Sequence, residues 1–214
     1  MVVGYTKYVE LVADIVKGKE VVSTGMTKET ERCQEAIRRV LNGETVALIS
    51  SGDPGVYGMA GLAIELASQN ETDIPIEVIP GVSAANSAAA RLGAPLALDF
   101  AAISLSDLLV EWSVIRKRLN AAAESGMVTV LYNPKSKKRV KQIEEAVGIF
   151  RKYRADSTPV GICDSISLED EKITITDLGS TLEQEIGMRT TVIIGNSESK
   201  VINGRFVNPR GYRI

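Results

Sequence analysis

The stretch Thr45-Val-Ala-Leu-Ile-Ser50 is an almost wholly apolar run of strand length, and it ends in the turn Ser51-Gly-Asp-Pro-Gly55. A strand apolar on both faces has to be covered on both, which suits a buried parallel sheet better than an alternating surface strand. In front of it, residues 27–43 place Cys33, Ala36, Ile37, Val40 and Leu41 at the i, i+3, i+4, i+7, i+8 spacing of an amphipathic helix. Thr27 can cap this helix and Asn42-Gly43 can end it. A second helix is predicted over about residues 57–69, a second strand over Ile76–Ile79, and a helix rich in alanine over Ser83–Arg91. Strand and helix alternate, the order of a parallel sheet with crossover helices.

The alternation breaks around residues 93–108, at Gly93-Ala-Pro-Leu96 and Ile103-Ser-Leu-Ser-Asp107. A junction there gives two α/β domains, an N-terminal one over residues 1–100 with a parallel sheet and a C-terminal mixed one over 101–214. The second half is predicted to hold a helix at 111–124, a strand at Met127–Leu131 and a basic helix at 137–153. Val140, Ile143, Val147 and Phe150 share one face of that basic helix. Strands follow at Pro159–Cys163, Ile173–Thr176 and Thr190–Ile194, and the polar tail from Arg205 can supply one more.

Composition narrows the chemistry. With 214 residues, 44% of them hydrophobic, and a net charge of −2, the chain can bury a core, and its global charge calls for neither nucleic acid nor an anionic membrane. No apolar run approaches the roughly 20 residues that span a bilayer, and Met1 is not followed by a signal-peptide pattern. A cytoplasmic location is expected. The two cysteines, Cys33 and Cys163, lack metal-binding spacing and are expected to be reduced core residues, with no protein-bound metal. The chain has no histidine, which removes Ser-His-Asp and Cys-His catalysis and the default general base near neutral pH.

Open α/β sheets bind ligands beyond the carboxyl ends of their strands, and two turns occupy such positions. In Ser50-Ser-Gly-Asp-Pro-Gly55, Gly52 and Gly55 permit close backbone approach and Asp53 offers a carboxylate to ribose hydroxyls or a cationic ligand. Pro80-Gly-Val-Ser83 leads into a helix of small residues, whose N-terminal N–H groups suit a carboxylate. Gly-Asp-Pro-Gly alone is an ordinary turn; two such turns about 30 residues apart, each closing an apolar strand, make a stronger case for a ligand. Neither GxxxxGK[ST] nor GxGxxG is present.

These turns, with Val2-Val-Gly-Tyr5, Leu131-Tyr-Asn-Pro134, Thr190-Thr-Val-Ile-Ile-Gly-Asn196 and Pro209-Arg-Gly-Tyr212, resemble the tetrapyrrole (corrin/porphyrin) methylases over essentially the whole chain. Asp99-Phe-Ala-Ala-Ile-Ser-Leu-Ser-Asp107, Tyr132-Asn-Pro-Lys-Ser-Lys137 and the closing Pro-Arg-Gly-Tyr resemble the branch that methylates precorrin-3B, or its cobalt analogue, at carbon 17 with ring contraction in cobalamin biosynthesis. The resemblance implies two α/β domains with S-adenosylmethionine in the cleft between them, S-adenosylhomocysteine as product, and a homodimer. Carried over by position, the cofactor contacts are Ser51, Gly52, Asp53, Val56, Ser83, Ala84, Asn133 and Ile166. Tyr57, Met59, Asp99 and Ser104 are candidates for the substrate side. Lys135, Lys137, Lys138, Arg139 and Arg210 could pair with substrate carboxylates, or could form a solvated face.

Such chemistry needs no histidine, because a sulfonium already carries an activated methyl group and the protein chiefly aligns the reactants. The sequence departs from the family in two places. The family's opening strand and Gly-x-Gly-Pro-Gly turn do not precede Val2, and Leu98 stands where the branch has a histidine. Open alternatives are therefore a truncated or catalytically silent member acting as a binding subunit, another precorrin methyltransferase, or methylation of ribosomal RNA or in diphthamide synthesis. Near-neutral charge argues against RNA.

Overall fold

The computed structural model describes residues 1–213. They form two compact units that part between Ser83 and Ala84. In the first unit the chain runs through β1 (Val2–Tyr5), α1 (Thr6–Leu11), β2 (Val21–Thr24), α2 (Glu29–Leu41), β3 (Ala47–Ile49) and α3 (Ala60–Ala67). In the second it runs through α4 (Ala84–Leu92), β4 (Gly93–Ala94), β5 (Phe100–Ser104), α5 (Trp112–Glu124), β6 (Val128–Tyr132), α6 (Lys141–Phe150), β7 (Pro159–Asp164) and β8 (Lys172–Asp177). A 3₁₀ turn (Thr181–Glu183) precedes β9 (Thr190–Ile194), β10 (Lys200–Ile202) and β11 (Arg205–Val207).

The first unit is built on a parallel sheet of order β2-β1-β3. Val2 and Val3 are buried at its centre, and Gly4 admits Ile49 of the neighbouring strand, whose Cγ1 lies 2.6 Å from where a Cβ would stand. Helix α2 buries Cys33 and Ala36 on the expected stripe. Its N-cap is Lys28, with no side-chain cap, while Thr27 has φ 61° and turns its hydroxyl to the Met26 carbonyl.

The predicted strand Ile76–Ile79 does not form. Among the described residues β3 pairs only with β1, and residues 76–79 join neither its free edge nor any other strand. Leu48, Ile49, Ile76 and Val78 instead line a groove of about 670 Å³.

The second unit carries a five-stranded mixed sheet of order β5-β6-β9-β7-β8. β5 and β6 run parallel and the remaining pairs are antiparallel, which answers the expectation of mixed direction. Alternation sorts the strands between two cores. Leu131, Val192 and Ile194 join Ile115, Leu119, Ile143, Val147 and Phe150 of α5 and α6. Val128, Val130 and Ile193 join Ala85, Ala88 and Leu92 of α4 and Phe206 of β11. Full burial of a side chain such as Phe150 contributes about 1.5–3 kcal/mol. Val140 does not share the buried face of α6; it precedes the first helical residue and is 40% exposed.

The change of unit at Ala84, against an expected junction near residue 100, comes from α4. Ala85, Ala88 and Leu92 follow i, i+3, i+7 spacing and bury their stripe on the second sheet. The contact requires Gly161, where a Cβ would stand 2.2 Å from Leu92 Cδ1. The breaks read as a junction are filled by β4 and β5.

Candidate functional site

In the first unit the site begins where β3 ends. Gly52 has φ 69°, a conformation that favours glycine, and the chain turns there into Asp53. The Asp53 carboxylate accepts from the Gly55 N–H at 2.8 Å through Oδ1 and from the Gly81 N–H at 3.0 Å through Oδ2. The two glycine turns singled out in the sequence are thus fastened together by one side chain. The amides of Gly81 first, then of Gly55 and Val56, hold the Asp53 carboxyl below its usual range. Close approach is built in, since a Cβ at Gly81 would stand 2.1 Å from the Gly52 carbonyl oxygen and one at Gly58 would stand 2.5 Å from that of Pro54. Ser51, Gly52, Val56 and Tyr57 are exposed along this rim, and Tyr57 adopts φ 55°.

Met59 is buried, and its Sδ accepts from Arg32 Nη1 at 3.2 Å. Arg32 is itself 2% exposed and ties together the ends of two strands, β1 and β2, and the entry to α3. Its Nε donates to Thr24 Oγ1 at 2.9 Å and its Nη2 to the Gly25 carbonyl at 2.8 Å, while the guanidinium lies 5.7 Å from the Tyr5 ring centre. Sequence reading missed this residue. The available signal was an arginine four residues before Ala36, on the apolar stripe of its helix.

In the second unit the groups gather at the C-terminal ends of β5, β6 and β7. The Tyr132 hydroxyl accepts from the Ala85 N–H in the first turn of α4 at 2.9 Å, so the end of β6 fixes the start of that helix just past Ser83 and Ala84. Asn133 follows with φ 49° and donates from Nδ2 to Ser104 Oγ at 3.1 Å, which also accepts from the Ser106 N–H. Asp99 is exposed before the other end of β5. At about 3.3 Å per residue it lies roughly 16 Å along the strand from Ser104, so these two candidates are not brought together.

Ile166 sits in a turn flanked by two left-handed residues, Ser165 at φ 51° and Ser167 at φ 65°. That turn is held at both ends. Ser165 Oγ donates to Asp164, which also accepts from Thr190 Oγ1 at 2.6 Å, and the Ser167 N–H donates to Glu171 at 2.7 Å. The Ser167 amide is the leading reason the Glu171 carboxyl lies low.

Of the basic candidates, Lys137, Lys138 and Arg210 are exposed and Lys135 is half-buried. Arg210 lies over the Tyr212 ring. Arg139 turns inward and donates from Nη2 to the Asn133 carbonyl at 2.7 Å. Among the described residues no group of three or more metal-ligating side chains is gathered, and no helix is long and apolar enough to cross a membrane.

Comparison with known proteins sets this arrangement in context. Residues 1–181 match the family described as Tetrapyrrole (Corrin/Porphyrin) Methylases. The chain is 48% identical over 217 residues to a cobalt-factor III methyltransferase of Priestia megaterium, of whose length it covers 40%. It is 44% identical over its whole length to a probable cobalt-factor III C(17)-methyltransferase of Salmonella typhimurium, covering 89% of that protein. The crystal structure of the methyltransferase CobJ superposes with a TM-score of 0.91 at 31% identity, over 97% of this chain and 87% of that one. A uroporphyrin-III C-methyl transferase of Thermus thermophilus, solved with S-adenosyl homocysteine, shares the fold at a TM-score of 0.66 and 22% identity, over 91% of this chain and 84% of that one.

Proposed function

Because this chain belongs to the tetrapyrrole (corrin/porphyrin) methylase family, we propose that it transfers a methyl group from S-adenosylmethionine to carbon 17 of a cobalt-factor III or precorrin-3B substrate in corrin biosynthesis, with ring contraction. The observation that carries this reading is the 44% identity to the Salmonella relative over the full length of the chain. The residues at the strand ends fit the cofactor. Glycine turns pressed together at Gly52 and Gly81 leave backbone groups accessible, and such groups can orient an amino acid or a ribose.

When bound, S-adenosylmethionine supplies a methyl group activated on a sulfonium. The chain's own work is to bind and orient. We assign Ser51, Gly52, Val56, Ser83, Ala84, Asn133 and Ile166 to the cofactor, with Asp53 setting the geometry of the turns rather than spending its carboxylate on the ligand. Tyr57 and Ser104 are assigned to the substrate side, and Lys135, Lys137 and Arg210 to the substrate's carboxylates. The same reading makes the protein a cytoplasmic homodimer, for which a sedimentation measurement of twice the chain mass is the check.

Two measurements test the function. Calorimetric titration with S-adenosylhomocysteine is expected to show saturable binding, and its absence defeats the cofactor assignment. Labelled S-adenosylmethionine with cobalt-factor III is expected to give a labelled, ring-contracted tetrapyrrole. Binding without transfer instead supports a silent member of the family, and transfer without contraction points to Leu98.

A further inference from the structure

The loop Asn133-Pro-Lys-Ser-Lys-Lys-Arg139 carries four cations, but the structure separates one of them from the rest. Lys137 and Lys138 are exposed at its tip, whereas Arg139 folds back to its beginning. Its Nη2 donates to the Asn133 carbonyl at 2.7 Å, and its Nε is buried. The closure is reciprocal, because the Ser136 N–H donates to the Arg139 carbonyl at 2.9 Å and the Arg139 N–H donates to Ser136 Oγ at 3.1 Å.

The grip falls on a residue that needs one. Asn133 holds φ 49°, a left-handed conformation that asparagine tolerates better than other residues with a Cβ, but Pro134 after it pushes the preceding residue toward extended backbone and has no N–H with which to fix the turn. The side chain of Asn133 is restrained from the other direction by Ser104 Oγ at 3.1 Å. Asn133 is therefore held at both its carbonyl and its amide group, and the carbonyl is held by a charge-assisted bond.

We propose that Arg139 is a positioning residue, which holds the Asn133 peptide in its left-handed conformation for the cofactor and does not pair with a substrate carboxylate. The inference rests on the assignment of Asn133 to S-adenosylmethionine, and its test separates the two. Titration of the wild-type protein with S-adenosylhomocysteine comes first; no binding there defeats the cofactor reading, and this inference with it. Given binding, Arg139→Ala is expected to weaken it about tenfold to a hundredfold, the loss of one hydrogen bond from a charged donor. Arg139→Lys should recover part of the affinity, and added methylguanidinium should restore binding to Arg139→Ala but leave the wild type unchanged.

The opposite pattern is equally clear. Unchanged S-adenosylhomocysteine affinity in Arg139→Ala, with a raised KM for the tetrapyrrole, makes Arg139 a substrate group and overturns the proposal. Equal loss in both variants without rescue by methylguanidinium also overturns it, because it assigns Arg139 to loop stability alone. Circular dichroism of Arg139→Lys verifies that a folded protein is being compared.

Discussion

Replacing Gly81 by alanine tests the fastening of the two turns most directly. The added methyl would stand 2.1 Å from the Gly52 carbonyl oxygen, whereas ordinary contact starts at 3.4 Å, so one backbone must retreat by about 3.4 − 2.1 = 1.3 Å. Overpacking of this kind costs about 1–3 kcal/mol. A displacement of that size also carries the Gly81 N–H out of reach of Asp53 Oδ2, now 3.0 Å away. Backbone groups assigned to the ligand would then be misplaced by about 1 Å, an error that costs up to about a hundredfold in catalysis. Gly81→Ala is expected to weaken S-adenosylhomocysteine at least tenfold, about 1.4 kcal/mol, by calorimetric titration, while far-ultraviolet circular dichroism stays as in the wild type. Gly61→Ala is the control. It lies in α3 with nothing within 4 Å of its Cβ, and alanine there is expected to gain up to about 1 kcal/mol of stability with affinity unchanged. Wild-type affinity in Gly81→Ala would refute the reasoning, because it would mean that the contact between the turns does not shape the ligand's seat.

The Asp53 carboxyl is held low by the amides of Gly81, Gly55 and Val56. Its folded value lies below the unfolded value of about 3.9, so its contribution is complete above about pH 4 and is lost as pH falls through the folded value. Affinity for S-adenosylhomocysteine should show no acid limb from Asp53 between pH 8 and 5, and Asp53→Asn should abolish the limb found lower; a limb centred above pH 5 that vanishes in Asp53→Asn contradicts this. Burial pushes the Cys163 thiol up to about 12 and raises that of Cys33. Neither should react with a thiol reagent at pH 8 until denaturant is added, and fast reaction of the native protein would show that a core opens. Gly161→Ala should cost about 1–3 kcal/mol in urea denaturation, because its methyl meets Leu92 at 2.2 Å. Leu92→Ala should cost about 2–5 kcal/mol, and the double variant should fall short of the sum by more than about 1 kcal/mol. Strict additivity would argue against that contact.

What the sequence determined by itself was local and periodic. The stripe of α2, the mixed character of the second half and the glycine turns at 52 and 81 follow from local spacing and composition, whereas the two-sided burial expected of residues 45–50 does not hold, because β3 is a sheet edge and none of its residues is buried. The strands predicted at Met127–Leu131 and Pro159–Cys163 put Asn133 and Ile166 just past strand ends, and both stand there. Tertiary structure decided what spacing cannot carry. Ile76–Ile79 has the composition of a strand, but a strand exists only where a neighbour takes its hydrogen bonds. That the Asp53 carboxylate fastens the amide of Gly81, 28 residues on, was not legible in the sequence. Arg32 was hidden because a buried cation depends on acceptors contributed by other elements, here Thr24, Gly25 and Met59. Arg139 sat among cations of identical charge, and only the direction of its side chain separates a group that grips Asn133 from those that face solvent. Periodicity records which face of an element is buried; the partner of a polar group is fixed by residues distant in the chain, and packing alone brings them within hydrogen-bond reach.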